Sequence, residues 1–249
     1  MGKHTEKKLN KKKIFLNILI VIFILALIVS SVYIGIWLVN RQENKKIADK
    51  VSEAIIENIE DEKVEYKVDF EKLKEINNQI VAYLRVNGTE IEYAVVQAKD
   101  NSYYIRRDLN KKYNVGGSIF MDYKNKLDGT DKNIVIYGHN IKDGSMFGTL
   151  KNILDEEWYN NEQNYIINLI TEKEEQKYQV FSVYKIENED YYIDTEFKKN
   201  EFKKFVKTLK DRSIKDFGVE VTEEDSILTL STCANNNKYR IVLHAKKVN

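Results

Sequence analysis

An uncharged, largely apolar run from Ile14 to Val39 constrains this chain more than any other feature. Only Asn17, Ser30, Ser31 and Gly35 interrupt it. It exceeds the roughly 20 apolar residues that a helix needs to cross a bilayer core. The segment is apolar all round, unlike a core helix that buries one stripe. A cleaved secretory signal has a shorter apolar region, about 7–15 residues, and a small-residue cleavage site. Here the run exits through Trp37 and Arg41 without such a site, so residues 14–39 read as an uncleaved transmembrane signal anchor. Lys3, Lys7, Lys8, Lys11, Lys12 and Lys13 precede it. Positive residues stay inside, which makes residues 1–13 a cytoplasmic basic tail. The remainder is then extracellular, on a single-pass protein of the cell membrane. Arg41, Lys45, Lys46 and Lys50 weaken the asymmetry, and Glu43, Asp49 and Glu53 dilute them. Tyr33 and Trp37 suit the outer interface, where amphipathic rings settle.

Composition narrows the rest. Of 249 residues, 43% are hydrophobic and 32% charged, which excludes a wholly disordered chain and a polytopic membrane protein. Lys and Arg number 40 against 39 Asp and Glu, so no nucleic-acid partner is expected. The single cysteine rules out an internal disulfide and a multi-cysteine zinc site. An unpaired thiol outside the cell is itself noteworthy, because that compartment is usually oxidising. Proline is absent, so turns must come from Gly, Asn and Asp.

Beyond the anchor, residues 40–67 are polar, with Ile47, Val51, Ile55, Ile56 and Ile59 at helical spacing. They read as a juxtamembrane helix or stalk, with a partly disordered spacer as the alternative. Residues 68–249 form the main domain. Asp69 is a plausible N-cap for a helix carrying Phe70, Leu73, Ile76 and Ile80. The pattern then becomes β. Ile80–Val86 and Ile91–Val96 flank Asn87-Gly88, a strong hairpin signal, and this favours a turn over a glycosylated sequon at Asn87-Gly88-Thr89. Further strands are expected at Ile119–Met121, Asn133–Tyr137, Tyr165–Leu169, Lys177–Lys185, Tyr191–Ile193, Ser226–Thr232 and Tyr239–His244. Helices are expected at Phe147–Ile153 and, amphipathic, at Glu196–Ile214. Many short strands with few helices make the chain mainly β and suggest a closed or nearly closed β-barrel.

Three residues at strand ends carry potential chemistry. Cys233 ends Ile227-Leu228-Thr229-Leu230-Ser231-Thr232-Cys233. The thiolate is the nucleophilic form, and a free cysteine needs a base or cation nearby to reach it at neutral pH. A lone cysteine is more often a small buried hydrophobe. His139, in Tyr137-Gly138-His139-Asn140, suits general acid–base work near neutral pH, although a lone histidine is more often structural. Arg240 follows on the next strand. Its guanidinium stays protonated and serves as a fixed cation for a carbonyl or oxyanion; on spacing alone it reads as a surface residue. His244 reads as structural or surface, and no metal cluster is apparent.

Taken together, these segments resemble the sortases, and class B most closely. Thr229-Leu230-Ser231-Thr232-Cys233 followed by Arg240 is similar to the family's catalytic motif, and Tyr137-Gly138-His139-Asn140 to its histidine motif. Ala98–Tyr104 and Gly117–Tyr123 resemble class B segments, as does the long helix ahead of the cysteine strand. The resemblance covers about Asp69 to Val248. It implies an eight-stranded sortase-like β-barrel with flanking helices and a cysteine transpeptidase without a cofactor. In that reading Cys233 attacks the Thr carbonyl of a C-terminal sorting motif of the NPQTN or (S/N)PxTG kind, carried by a surface protein. His139 moves protons, Arg240 holds the substrate backbone and oxyanion, and the acceptor is an amine of a peptidoglycan precursor. By similarity Asn101, Ile105, Asn188, Tyr192, Ile193 and Ser231 line the substrate groove. A membrane-anchored cysteine protease, a non-enzymatic adaptor and a pilus-type sortase are the alternatives.

Overall fold

The computed structural model describes residues 2–60, 63–187, 189–233 and 238–248. The chain divides into two compact units, residues 1–49 and 50–249. Helix α1 (Gly2–Ser52) carries the apolar run, with its large side chains from Ile14 to Val39 exposed. It is long and apolar enough to cross a membrane.

In the second unit the chain forms a hairpin, β1 (Ile55–Glu60) and β2 (Lys63–Val68), with Ile55 opposite Val68. This corrects the helical reading of 55–67. Spacing at 47, 51 and 55 fits a helix, but Ile55, Ile56 and Ile59 are β-branched residues that fit a pleated surface better. Asp69 caps α2 (Phe70–Ile76) as expected, accepting from the Lys72 amide at 3.2 Å. The helix stops at Asn77, so Ile80 belongs to the strand that follows.

The barrel contains β3 (Ile80–Val86), β4 (Glu92–Val96), β5 (Phe120–Met121), β6 (Asn133–His139), β7 (Ile166–Thr171), β8 (Glu175–Glu187), β9 (Ile227–Cys233) and β10 (Tyr239–Lys247). They close in the order β10-β8-β7-β3-β4-β5-β6-β9, so the eight-stranded barrel is as expected. Pairs β4/β5 and β6/β9 are parallel, and the others antiparallel. Its core includes Leu84, Val95, Ile119, Ile136, Leu169, Val180, Leu228, Leu230 and Val242. Gly88, at φ 70°, makes the β3–β4 turn, the left-handed conformation that glycine adopts without a Cβ penalty.

The short helix expected at Phe147–Ile153 is a three-ten helix at Gly148–Leu154, and the short α-helix α3 (Glu156–Tyr159) follows it. Tyr191–Ile193 is also a three-ten turn and not a strand. Its aromatic and β-branched residues favour a strand, but β8 is already paired on both sides and a closed ring offers no free edge. Helix α4 (Glu201–Arg212) is shorter than the expected span, because Asn200 takes a left-handed φ of 66° just before it. The Glu223 carboxylate accepts from the Asn200 and Lys203 amides at 3.2 and 3.0 Å, placing negative charge at the helix N-terminus. Phe202, Val206 and Leu209 bury the inner face, and the Ser182 hydroxyl of β8 donates to the Leu209 carbonyl at 2.6 Å.

Candidate active site

The site lies where β6 and β9 end together. These strands run parallel, and their register pairs His139 with Cys233. Neighbouring strands are about 4.8 Å apart, so two residues distant in sequence become immediate neighbours. Both strands are paired on both sides within a closed ring, which fixes their ends. Gly138 permits this: a Cβ there would lie 2.5 Å from Ile119 Cδ1 and 2.6 Å from the Phe147 ring. Arg240 is half-buried on β10, across from Ile186. Its Nη1 lies 3.5 Å from the Thr232 carbonyl, at the limit of a hydrogen bond. The Ile241 amide donates to Thr232 Oγ1 at 2.9 Å. Cys233, His139 and Arg240 are thus gathered at adjoining strand ends.

His139 is only 2% exposed. Its Nε2 lies 2.7 Å from the Ile105 carbonyl oxygen. A carbonyl only accepts, so Nε2 carries the proton and Nδ1 the lone pair. Nδ1 is buried and has no hydrogen-bond partner among the described residues. Burial lowers the His139 pKa most; the Ile105 carbonyl raises it, and the Arg106 charge lowers it further. The imidazole is therefore favoured in its neutral form, with one nitrogen anchored and one open to a proton.

The segment Asn101–Arg107 supplies that carbonyl. Asn101 Nδ2 donates to Asp122 Oδ2 at 2.7 Å, and its Oδ1 accepts from the Tyr123 amide at 3.0 Å. Tyr103–Arg106 forms a three-ten turn, and Ser118 ties down both its ends through the Tyr104 carbonyl at 3.1 Å and the Arg107 carbonyl at 2.8 Å. Beneath it, Asp122 is 3% exposed and also accepts from the Tyr137 hydroxyl at 2.9 Å and the Lys124 amide at 2.9 Å.

The expected groove residues separate into two kinds. Asn101, Ile105 and Ile193 are partly exposed. Tyr192 and Ser231 are fully buried, with Tyr192 Oη 2.9 Å from Ser231 Oγ. Asn188 and the connection at 234–237 lie outside the described residues. His244, read from sequence as structural or surface, is fully buried. Sequence reasoning missed Asp122 and the hydroxyl of Tyr137, although both stand within motif segments. Among the described residues no cluster of His, Cys, Asp or Glu is placed to hold a metal.

A sortase domain profile matches residues 84–248, from the middle of β3 to the end of the barrel. The chain belongs to the sortase family, and within it to class B. The sortase B of Listeria monocytogenes is 33% identical over 222 residues, which are 86% of this chain and 89% of that protein. The crystal structure of sortase B from B. anthracis in complex with AAEK1 superposes with a TM-score of 0.73 at 36% identity, covering 85% of this chain and 99% of that one. The Staphylococcus aureus sortase B–substrate complex gives 0.68 at 35% identity, covering 73% and 85%.

Proposed function

We propose that this protein is a membrane-anchored transpeptidase that cleaves a sorting motif after Thr and transfers the resulting acyl group to a cell-wall amine. The observation that carries this reading is the parallel register that sets His139 beside Cys233. The membership in the family, which implies cysteine transpeptidation, supports it. The orientation of the anchor follows from the lysine-rich tail before Ile14.

The chemistry balances without an external energy source. The Cys233 thiol gives its proton to His139 Nδ1, and the thiolate attacks the Thr carbonyl carbon. A C–S bond forms, the peptide C–N bond breaks, and the imidazolium returns the proton to the leaving amine. The incoming amine then attacks the thioester, His139 takes its proton, and the C–S bond breaks as the new amide forms. The Arg240 guanidinium stabilises the oxyanion in both tetrahedral states. Asn101, Ile105 and Ile193 line the groove, and Tyr192 and Ser231 support it from beneath. The sorting protein carries a motif of the NPQTN or (S/N)PxTG kind, and the acceptor belongs to a peptidoglycan precursor.

Full-length protein in detergent micelles, incubated with quenched peptides of these motifs, tests the reading. A thioacyl adduct of mass matching the Thr-terminated fragment is expected, absent in Cys233→Ala and resolved to an amide by added triglycine. Hydrolysis unaffected by amine identifies a protease instead. An unreacted thiol with every peptide leaves a binding module.

A further inference from the structure

Behind the strand that carries Cys233 runs a buried polar chain that no catalytic step uses. The Asn133 side-chain Nδ2 donates to the carbonyls of Tyr192 and Asp194 at 3.3 and 2.9 Å. Thr229 Oγ1 donates to Asn133 Oδ1 at 2.7 Å. That uses the only proton of the hydroxyl, so at 2.9 Å from His244 Nδ1 the same oxygen must accept. His244 therefore carries its proton on Nδ1, and Nε2 accepts from the Tyr184 hydroxyl at 2.9 Å. Tyr184 Oη in turn accepts from Tyr191 Oη at 3.1 Å. Each proton in the chain has one direction. The chain starts on the side chain of Tyr191 and ends on the backbone of Tyr192 and Asp194, so it begins and ends on the same three-ten turn.

Asn133, Thr229 and His244 are each fully buried. Burying this many polar groups is tolerated only when all are paired, and an orphaned member costs more than a neutral hydrogen bond contributes. A core of leucines would serve the barrel as well, so the network points to the turn. The turn also places Tyr192 Oη on Ser231 Oγ, two residues before Cys233. We propose that Asn133, Thr229 and His244 are positioning residues that clamp the Tyr191–Asp194 turn at both ends and so fix one wall of the peptide groove beside Cys233. The groove rests on the transpeptidase reading; the clamp does not.

Thr229→Val keeps the shape and deletes the shared hydroxyl, whereas Thr229→Ser keeps the hydroxyl. Both are compared with the wild type as full-length protein in detergent. Thr229→Val is expected to raise KM for the sorting peptide about tenfold with kcat within about twofold, as one broken buried link predicts. The rate of Cys233 alkylation by iodoacetamide, followed against pH, stays at the wild-type profile. Thr229→Ser restores KM. By hydrogen exchange, the amides of residues 191–194 open faster in Thr229→Val alone. An unchanged KM, or wild-type exchange in folded Thr229→Val, overturns the clamp; a shifted alkylation profile overturns it by placing the effect on Cys233 and His139. Tyr184→Phe, which removes one hydroxyl of the same chain, decides the question if Thr229→Val does not fold. If the wild type processes no peptide, the transpeptidase reading fails and the exchange measurement still decides the clamp.

Discussion

Gly117 shows how much of the site depends on a residue with no side chain. It sits at φ 60°, and a Cβ there would lie 2.5 Å from the Ile105 carbonyl oxygen and 2.6 Å from that of Tyr104. The Ile105 oxygen is the acceptor that anchors His139. An added methyl meets backbone, which cannot swing away as a flexible side chain can. Gly117→Ala therefore moves the carbonyl and, with it, the imidazole. The left-handed conformation alone costs an alanine about 1–2 kcal/mol. The expected outcome is a folded protein with kcat for peptide cleavage down at least about tenfold, as misplaced catalytic groups produce, and with KM little changed. Steady-state kinetics check it, and a variant with wild-type kcat would mean the carbonyl does not orient His139. Gly117 stands in a segment legible as class B, yet its reason was not legible: the atom it avoids comes from a loop a dozen residues earlier in the chain.

At the scale of elements, β10 carries His244 between β8 and β9. Burial holds the His244 pKa down to about 3, against an ordinary value of 6.5. The unfolded chain therefore binds this proton more readily than the folded one, and the stability present above pH 6.5 is lost as pH falls toward 3. Burial of His139 acts in the same direction. Asp100, Asp128, Glu174 and Asp225 are also lowered from ordinary carboxylate values, and their losses set in below about pH 4.5. The informative window is therefore pH 4.5 to 6.5, where the buried His244 contributes up to about 1.4 kcal/mol per pH unit. Thermal unfolding in that window should show Tm falling with pH, and less steeply in His244→Asn. Equal slopes would place the proton uptake elsewhere. The barrel strands were legible, since Ile80–Val86 matches its expected span residue for residue and the other seven differ only at their ends, whereas the β1–β2 hairpin was not. The Tyr191–Ile193 turn was not, because its three residues favour a strand and only the closed ring denies them an edge. Cys233 and His139 were legible as strand ends, but not their adjacency: parallel pairing of β6 with β9 is a property of the whole topology.

For the whole molecule, α1 supplies a long exposed apolar surface that water does not tolerate in isolation. Expressed in full, the protein is expected in the membrane fraction after alkaline carbonate extraction, and a chain lacking residues 1–40 in the soluble fraction. Release of the full chain by carbonate would sink the anchor. The same scale explains a feature of the barrel order. β10 is the last strand of the described chain, and it alone joins β9 to β8. The ring stays open until β10 arrives, and Arg240 arrives with it. Such long-range closure is slow relative to local hairpins. A chain cut before β10 thus keeps Cys233 and lacks Arg240, and its β9 has one free edge. In the proposed function, closing the ring and bringing Arg240 beside Cys233 are therefore one event, so the shape and the site are completed together.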